Sequence, residues 1–279
     1  MDVYISIDME GVAGVVTREQ VIAGSGDGYR RSATLMTREA NAAVAGALAG
    51  GAQRVIVNDS HGTMANLDVE LLDRRAECSV GYPKPFSMMA GIGAHFGAAL
   101  FIGYHAGAGS APAVLDHTYS PRVFRAVRLN GVRQTETTLN AALAGHFGVP
   151  VALVTGDEAT CAEARAALGT DLPTVATKAA FGAEAAYSLH PAVARERIEA
   201  AAREGMQRVA AGHLPPYVVP GPYALECDIT TTLATDYLST IPGVERPAGR
   251  TLRFEHDDYP TVFRCLLAMA MLGGLAWPR

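Results

Sequence analysis

The sequence predicts an α/β fold in which a mixed, largely parallel sheet is flanked by helices. Apolar runs of strand length alternate with helical patterns along the whole of the 279-residue chain, as in folds assembled from strand–helix–strand units. One run, residues 98–103, is continuously apolar, which is typical of a strand covered on both faces. Together these two observations favour a layered sheet over a helical bundle or a β-sandwich.

The first half of the chain begins with a clear strand pattern. The β-branched residues Val3, Ile5 and Ile7 alternate with Tyr4 and Ser6, which is the period of a pleated strand. Further strands are predicted at residues 54–57, 78–80, 98–103 and 123–129, and helices at 29–48 and 135–147. The 29–48 helix ends before Gly50-Gly51, a typical stop signal, and Asn130-Gly131 predicts a hairpin turn.

The second half repeats the alternation. Strands are predicted at residues 151–154, 174–177, 225–229 and 251–255, and helices at 159–168, 191–210, 232–239 and 259–272. Because no linker or low-complexity tract interrupts the chain, we expect two joined halves. Residues 1–150 would form a metal-binding α/β half that carries every site residue, and residues 151–279 a second α/β half that completes the fold.

Composition narrows the classes of function. Hydrophobic residues make up 49% of the chain and charged residues 18%, so a large core is expected and disorder is not. The net charge is −5 without a basic block, which argues against a nucleic-acid partner. The longest apolar run, residues 265–277, is shorter than the ~20 residues of a membrane span, and the amino terminus lacks a signal-peptide pattern. We therefore expect no membrane partner.

The cysteines indicate a reducing compartment. They are scattered without any C-x-x-C pair, at Cys78, Cys161, Cys227 and Cys265. We expect them to be buried small hydrophobic residues rather than disulfide partners or a thiolate metal site. A cytoplasmic location is the corresponding expectation.

Metal-binding side chains follow three of the predicted strands at the point where each strand ends. Asp8 and Glu10 come directly after the first strand, His61 follows the second, and His105 follows the run at 98–103. In open α/β sheets, ligands bind beyond the carboxyl ends of the strands. If these strands are parallel neighbours, the four side chains meet at one edge of the sheet.

Two further candidates lie on segments that must pass near the same edge. His117 follows a Gly-rich turn, and Glu136 lies in the first turn of a predicted helix. Each candidate also has a simpler explanation when taken alone. Glu136 could merely complement the helix dipole, and His61 or His117 could be an ordinary loop histidine. Asp8 and Glu10 could be solvated loop carboxylates.

As a set, two histidines and three carboxylates suit a pair of divalent ions that share one carboxylate. Mixed nitrogen and oxygen ligation favours Zn²⁺, with Mn²⁺ and Co²⁺ as alternatives, over Mg²⁺ or Ca²⁺. Two such ions about 3.5–4 Å apart can activate water and polarise a carbonyl group, which indicates hydrolysis. A histidine outside the metal shell, such as His117, would then serve in proton transfer.

An ordered set of short motifs resembles a known family. The motifs are Ser6-Ile7-Asp8-Met9-Glu10-Gly11, Val57-Asn58-Asp59-Ser60-His61, Lys84-Pro85-Phe86-Ser87-Met88, Gly103-Tyr104-His105-Ala106 and Glu136-x-x-Leu139-Asn140-Ala141. Together they are similar to the binuclear zinc D-aminopeptidase family of the dipeptide-transport type. The similarity runs nearly end to end, although the C-terminal half matches in pattern more than in motif.

The resemblance implies specific roles. The residues that bind two zinc ions per subunit would be Asp8, Glu10, His61, His105 and Glu136, with Asp8 as the bridge. His117 would be the catalytic residue, either as a proton-transfer group or as a nucleophile. The family further implies removal of the N-terminal residue from short peptides, with a preference for D-amino acids such as D-Ala. It also implies a homo-oligomer, namely a ring-built decamer whose sites face an inner channel.

Two other functions stay open on the residues alone. A different binuclear hydrolase could act on amides or phosphoesters, but a phosphoesterase should present basic residues, and the ligand loops offer little beyond Lys84 and Arg122. A metal-stabilised peptide-binding protein without catalysis is the other alternative. The presence of His117 argues against it.

Overall fold

A computed structural model describes residues 1–276, whose strands form two sheets. The strands are β1 (Asp2–Ile7), β2 (Arg54–Asp59), β3 (Ala76–Ser79), β4 (Phe96–Ile102), β5 (Phe124–Leu129), β6 (Val132–Arg133), β7 (Val151–Asp157), β8 (Thr174–Gly182), β9 (Ala185–Ser188), β10 (Tyr223–Ile229), β11 (Glu245–Ala248) and β12 (Thr251–His256). The α-helices are α1 (Asp27–Ala49), α2 (Glu136–His146), α3 (Glu158–Leu168), α4 (Pro191–Ala210), α5 (Thr232–Leu238) and α6 (Tyr259–Gly273).

The larger sheet has seven strands in the order β3-β2-β1-β4-β7-β8-β9. All neighbouring pairs are parallel except β8 and β9, which are antiparallel. The predicted fold class, a mixed and largely parallel sheet flanked by helices, is therefore confirmed. Strand β1 lies between β2 and β4 and is parallel to both, so the three strands that precede the candidate ligands are neighbours, as expected.

Strand β1 is buried on both faces because its two sets of side chains enter different cores. Val3, Ile5 and Ile7 belong to the core that α1 and α4 form on one side of the sheet. Tyr4 belongs to the core on the other side, which also contains residues of α2, the smaller sheet and α6. Helices α1 and α4 approach closely at Gly46, where a Cβ atom would lie 2.2 Å from the carbonyl oxygen of Glu199.

The smaller sheet is antiparallel, with the strand order β11-β12-β10-β5-β6. Helices α5 and α6 pack against it. The turn between β5 and β6 is formed by Asn130 and Gly131, whose φ angles are 52° and 78°. Positive φ at both central residues suits a two-residue hairpin loop, so the predicted hairpin is confirmed.

Some features differ from the sequence-based expectations. Strands β6, β9 and β11 were not predicted as strands, because all three are short, lie at sheet edges and carry little apolar pattern. Each sheet contains strands from both sides of residue 150, and the division into halves at that residue stays an expectation. Cys78 is exposed on strand β3 at the edge of the sheet, which corrects the expectation of burial, whereas the other three cysteines are buried.

Helix α6 and the 3₁₀ turn after it are unusually apolar. The stretch Tyr259–Ala276 has 18 residues with a mean hydropathy of 1.4, which is long and apolar enough to cross a membrane by length and composition alone. Core helices of soluble proteins pass the same test, and Phe263, Leu266 and Met269 of α6 lie in the core. Residue 277, the last of the apolar run 265–277, lies outside the described residues.

Candidate metal centre

The carboxyl ends of β1, β2 and β4 are tied together by main-chain hydrogen bonds. The amide of Asp8 donates to the carbonyl of Ile102 at 2.8 Å, and the amide of Ser60 donates to that of Ile7 at 2.8 Å. The amide of Gly11 donates to the carbonyl of Gly103 at 2.8 Å. A Cβ atom at Gly11 would lie 2.0 Å from the carbonyl oxygen of Tyr104. Glycine is therefore required where the motif turns out of the sheet.

His61 faces both carboxylates that follow β1. Its Nδ1 atom lies 3.1 Å from Oδ1 of Asp8 and 3.0 Å from Oε2 of Glu10. Its other ring nitrogen, Nε2, lies 2.7 Å from the carbonyl oxygen of Val21 and donates its proton there. This hydrogen bond orients the ring so that Nδ1 faces Asp8 and Glu10. In the deprotonated ring that metal binding requires, the Nδ1 lone pair would face the same two carboxylates.

His105 faces the opposite oxygen of Asp8. Its Nε2 atom lies 3.5 Å from Oδ2 of Asp8 and 3.3 Å from Oε1 of Glu136. Nδ1 donates to the carbonyl of Ala106 at 3.0 Å, so Nε2 is the ring nitrogen that would bind a metal ion once its proton is lost. Nε2 is buried and has no hydrogen-bond partner. Because a buried nitrogen without a partner is costly, its position beside two carboxylates indicates a site built for a cation.

Glu136 is the first residue of α2 and is held by a buried polar network. Thr135 caps the helix by accepting a hydrogen bond from the amide of Thr138. The amide of Tyr119 donates to Oε1 of Glu136 at 2.5 Å, and the hydroxyl of Tyr119 donates to Oδ1 of Asn140 at 2.7 Å. These contacts fix the Glu136 carboxylate toward His105.

His117 comes to the same place from the loop that follows β4. Its ring stacks on that of His105, with centroids 3.9 Å apart and planes 11° from parallel. Nδ1 donates to the carbonyl of Leu115 at 2.8 Å, and Nε2 lies 3.8 Å from Oε1 of Glu136. The structure thus brings all six predicted residues to one edge of the sheet.

The buried carboxylates shift their pKa values in opposite directions. Burial, with the neighbouring Glu10 charge, raises the pKa of Asp8 to about 8. Burial also opposes ionisation of Glu10, but the charge of His61 and its hydrogen bond outweigh burial and hold the pKa of Glu10 well below its usual range. Burial also acts to raise the pKa of Glu136. The charge of His105 and its hydrogen bond outweigh burial, so the pKa of Glu136 is lowered. Glu10 and Glu136 are therefore ionised at neutral pH, whereas Asp8 is largely protonated in the metal-free site.

The pKa values of the three histidines are also shifted in different directions. Burial lowers the pKa of His61, but Glu10 and Asp8 outweigh it and raise that pKa well above its usual value. The pKa of His105 is raised in the same way, mainly by Glu136. The pKa of His117 is lowered by burial and by the neighbouring His105. His117 is thus neutral at pH 7 and able to accept a proton.

The donor set suits metal ions. Within residues 1–276, two groups of three residues place their potential ligand atoms within 4.8 Å of one another: Asp8, Glu10 and His105, and His105, His117 and Glu136. Imidazole nitrogens combined with carboxylate oxygens suit zinc and similar ions. The second group includes His117, so the structure places this residue close enough to Glu136 and His105 to join a shell as well as to act beside one.

The site opens into a cavity of about 790 Å³. Part of its wall is apolar and is supplied by Met64, Met88, Leu267 and Met271. Charged side chains also line the cavity, among them Lys84, Arg122 and Glu184. A volume of this size is in the range of small-ligand pockets, and a lining of both apolar and charged side chains suits a short peptide.

Comparisons with known proteins agree with this geometry. The family model described as D-aminopeptidase, Peptidase_M55, matches residues 1–268. The chain belongs to the D-aminopeptidase family. It is 34% identical to a D-aminopeptidase of Bacillus subtilis (strain 168) over 273 residues, which cover 98% of this chain and 97% of the relative.

A solved structure has the same fold. The Zn-dependent D-aminopeptidase DppA from Bacillus subtilis, described as a self-compartmentalizing protease, aligns with a TM-score of 0.91 and 32% identity over 98% of each chain. Membership of the family identifies the chain as an aminopeptidase. The amidase, phosphoesterase and non-catalytic alternatives are therefore less well supported.

Several residues of the site were not predicted. Leu267 and Met271 reach the cavity from α6, and Glu184 reaches it from the turn between β8 and β9. All three lie in the second half of the chain, beyond the last predicted ligand, with no motif around them. Asn140 could have been singled out from the sequence, because it is a polar residue between the apolar Leu139 and Ala141 of the motif at residues 136–141. Its hydrogen-bond partners, Tyr104 and Tyr119, depend on the fold.

Proposed function

We propose that this protein is a zinc-dependent D-aminopeptidase that removes the N-terminal residue of short peptides at a two-zinc site. One observation carries the proposal. The two oxygens of Asp8 face two different histidines, His61 at 3.1 Å and His105 at 3.5 Å. A carboxylate with a histidine on each side is the arrangement expected of a group that bridges two ions.

Each ion has its own ligands in this proposal. Glu10 and His61 would hold one ion, His105 and Glu136 would hold the other, and Asp8 would contribute to both. Zinc bound there would supply a Lewis acid for the peptide carbonyl and lower the pKa of water. The relative with the same fold is Zn-dependent, and the unpartnered Nε2 atom of His105 supports metal binding in this chain.

His117 is the proton-transfer residue. Its lowered pKa keeps the ring neutral at pH 7, and the hydrogen bond from Nδ1 to the carbonyl of Leu115 leaves Nε2 facing Glu136 as the acceptor. A neutral imidazole in this orientation can accept a proton from attacking water and return it to the departing amine. It can do so without leaving its stack on His105.

The substrate is a short peptide with a D-residue, such as D-Ala, at its amino terminus. The cavity of about 790 Å³ limits the length of peptide that can enter, and both the family and the Bacillus relative are described as D-aminopeptidases. We propose a cytoplasmic location, which the four free cysteines support. We also propose a homo-oligomer, a ring-built decamer, because the relative is described as self-compartmentalizing.

The test is turnover by the zinc-loaded protein. D-Ala-D-Ala, L-Ala-L-Ala and an aryl phosphate ester are offered separately, and release of free alanine or phosphate is measured. We expect release of alanine with preference for the D-dipeptide and no release of phosphate. Hydrolysis of the phosphate ester alone, or no turnover by protein that holds zinc, would contradict the proposal.

A further inference from the structure

Lys178 is a buried lysine that lies behind the metal centre. It belongs to β8, and only 3% of its surface is exposed. Its ammonium group donates to three main-chain carbonyls, those of Glu10 at 2.5 Å, Val12 at 2.9 Å and Val15. Since an ammonium group has three protons to donate, these contacts use its full capacity.

All three acceptors belong to one segment, residues 10–15. This segment leaves the large sheet after β1 and begins with a proposed metal ligand. Its backbone has no regular partner strand, so its buried carbonyls need donors from elsewhere. The ammonium group of Lys178 supplies these donors. It gathers three carbonyl oxygens around one atom, as a bound cation would.

Burial makes the charged form of Lys178 less favourable than it would be in water. Burial lowers its pKa to about 8, while Glu39, Asp157 and Glu10 act in the opposite direction. No carboxylate within residues 1–276 forms a direct ion pair with its ammonium group, whose hydrogen bonds go to the main chain. A buried charge that contacts only carbonyls of one segment is difficult to explain as general stabilisation, because burying a charge is unfavourable unless it is well coordinated.

Other contacts hold the same segment at different positions. The hydroxyl of Thr177 donates to the carbonyl of Gly11 at 2.6 Å. The amide of Ala13 donates to Oε1 of Glu39 at 2.9 Å. Lys178 differs from both because it contacts the main chain of Glu10 itself, the residue whose carboxylate lies 3.0 Å from Nδ1 of His61.

We propose that Lys178 is a positioning residue of the metal centre, whose ammonium group fixes the main chain of Glu10 so that its carboxylate meets His61 and Asp8. Lys178 does not line the cavity and does not touch the substrate. The proposal rests on the proposed two-zinc function, but its effect on Glu10 can be measured without metal.

The experiment compares the wild-type protein with Lys178→Met and Thr177→Val. Lys178→Met keeps an unbranched side chain that is one heavy atom shorter, and it removes all three donors. Thr177→Val removes a donor to the same segment from the adjacent residue but leaves the contact with Glu10. Amide hydrogen exchange of Gly11 and Ala13 is measured in metal-free protein, with amides of β10 as the reference. Zinc affinity is then measured by competition with a chromogenic chelator.

We expect Lys178→Met to accelerate exchange at Gly11 and Ala13, leave β10 unchanged, and weaken zinc binding about 10–100-fold, the usual effect of losing a group that orients a ligand. Saturating zinc should restore much of kcat with KM unchanged. Thr177→Val should weaken zinc binding less. If Lys178→Met proves insoluble, Lys178→Gln, which retains two donors, should show the same effects at smaller size.

Three outcomes would overturn the proposal: unchanged exchange at Gly11 and Ala13, faster exchange with unchanged zinc affinity, or an equal loss of affinity in Thr177→Val. The second outcome would make Lys178 a purely structural residue. Failure of the proposed function is distinguishable, because it would appear as absent zinc binding or absent peptide turnover in the wild-type protein. Exchange in metal-free protein would still report whether Lys178 holds Glu10.

Discussion

The imidazole rings of His105 and His117 stack with their centroids 3.9 Å apart and their planes 11° from parallel. Two rings in such contact cannot easily both carry a positive charge, and this proximity contributes to the lowered pKa of His117. His105 directs Nε2 toward Asp8 and Glu136, whereas His117 reaches Glu136 only at 3.8 Å. The two histidines are therefore neighbours that we expect to have different roles.

Replacement of His117 should separate catalysis from metal binding. We expect His117→Ala to retain zinc, since five other side chains supply the proposed shells, and to reduce kcat by ~10²–10⁴-fold, the usual contribution of a proton-transfer group. His105→Ala is the matched variant from the same stacked pair, and it should lower zinc content together with activity. Zinc per chain and kcat are measured on the same preparations.

Two other results are possible for His117→Ala, and each has a clear interpretation. If His117→Ala loses zinc as readily as His105→Ala, then His117 is a ligand, which its place beside His105 and Glu136 also permits. If the variant keeps both zinc and the full rate, His117 is an ordinary loop histidine. Either result would refute the proton-transfer role.

Asp8 should control the binding of both ions. We expect about two zinc ions per wild-type chain, activity lost on chelation, and recovery when divalent ions are returned. Asp8→Asn should lower zinc content to well below one per chain, because its carboxylate faces both His61 and His105. Glu136→Gln should remove one ion and leave the other. Zinc is counted by elemental analysis after gel filtration.

Glu184→Gln provides the control for Asp8→Asn. Glu184 lines the cavity but lies on the turn between β8 and β9, so its replacement should leave two zinc ions bound. A wild-type protein that is active with a single ion would contradict the two-zinc site, and so would an Asp8→Asn variant that retains both ions.

The affinity for zinc should depend on pH, and the pKa shifts of the ligands predict the direction of that dependence. Despite burial, carboxylates raise the pKa of His61 and of His105 above the usual value in the metal-free site. At neutral pH both rings are protonated, and zinc must displace those protons. Apparent zinc affinity should therefore increase as pH rises toward the raised pKa values. Calorimetry in two buffers of different ionisation enthalpy would measure the protons released, and a value of zero would contradict this account.

The assembly is tested independently of the chemistry. We expect a large homo-oligomer, since the structural relative is described as self-compartmentalizing. Several large apolar side chains are exposed on the single chain, among them Phe181, Tyr187 and Leu275. Light scattering at micromolar concentration gives the molar mass. A monomer would remove the ring proposal and leave the proposed reaction intact.

The strands and the edge at which ligands gather could be predicted from sequence. The alternation of Val3, Ile5 and Ile7 defines β1, and the position of Asp8, His61 and His105 just after their strands is enough to place them at one edge of a parallel sheet. Such predictions succeed because hydrophobic period and strand ends are local properties of the chain. Strand β9, by contrast, is held by its pairing with β8, and a four-residue exposed edge strand has little pattern of its own.

The supporting contacts of the site could not be predicted in the same way. Lys178 follows Glu10 by 168 positions, and their contact depends on β8 packing beneath the segment that leaves β1. Likewise, the hydrogen bonds of Asn140 with Tyr104 and Tyr119 join side chains from three separate segments. Sequence shows that such polar residues lie within apolar surroundings, but only the fold shows which partners they have.

Gly11 should be one of the least replaceable residues of the chain. In Gly11→Ala the new Cβ atom would lie 2.0 Å from the carbonyl oxygen of Tyr104 and 2.6 Å from the carbonyl carbon of Gly103. Both are main-chain atoms, so the ends of β1 and β4 would have to separate. We expect the free energy of unfolding to fall by ~1–3 kcal/mol, the usual cost of overpacking, and zinc affinity to fall with it, because this separation moves Asp8 away from His105.

Gly28→Ala is the matched control, because Gly28 lies in α1 and a Cβ atom there would be 3.9 Å from its nearest neighbour, Gln20. Alanine favours the helix, so this variant should be unchanged or more stable by up to ~1 kcal/mol. Urea denaturation of metal-free protein measures stability, and chelator competition measures zinc affinity. If Gly11→Ala matched Gly28→Ala in both measurements, the close approach of β1 and β4 at Gly11 would not be what shapes the metal centre.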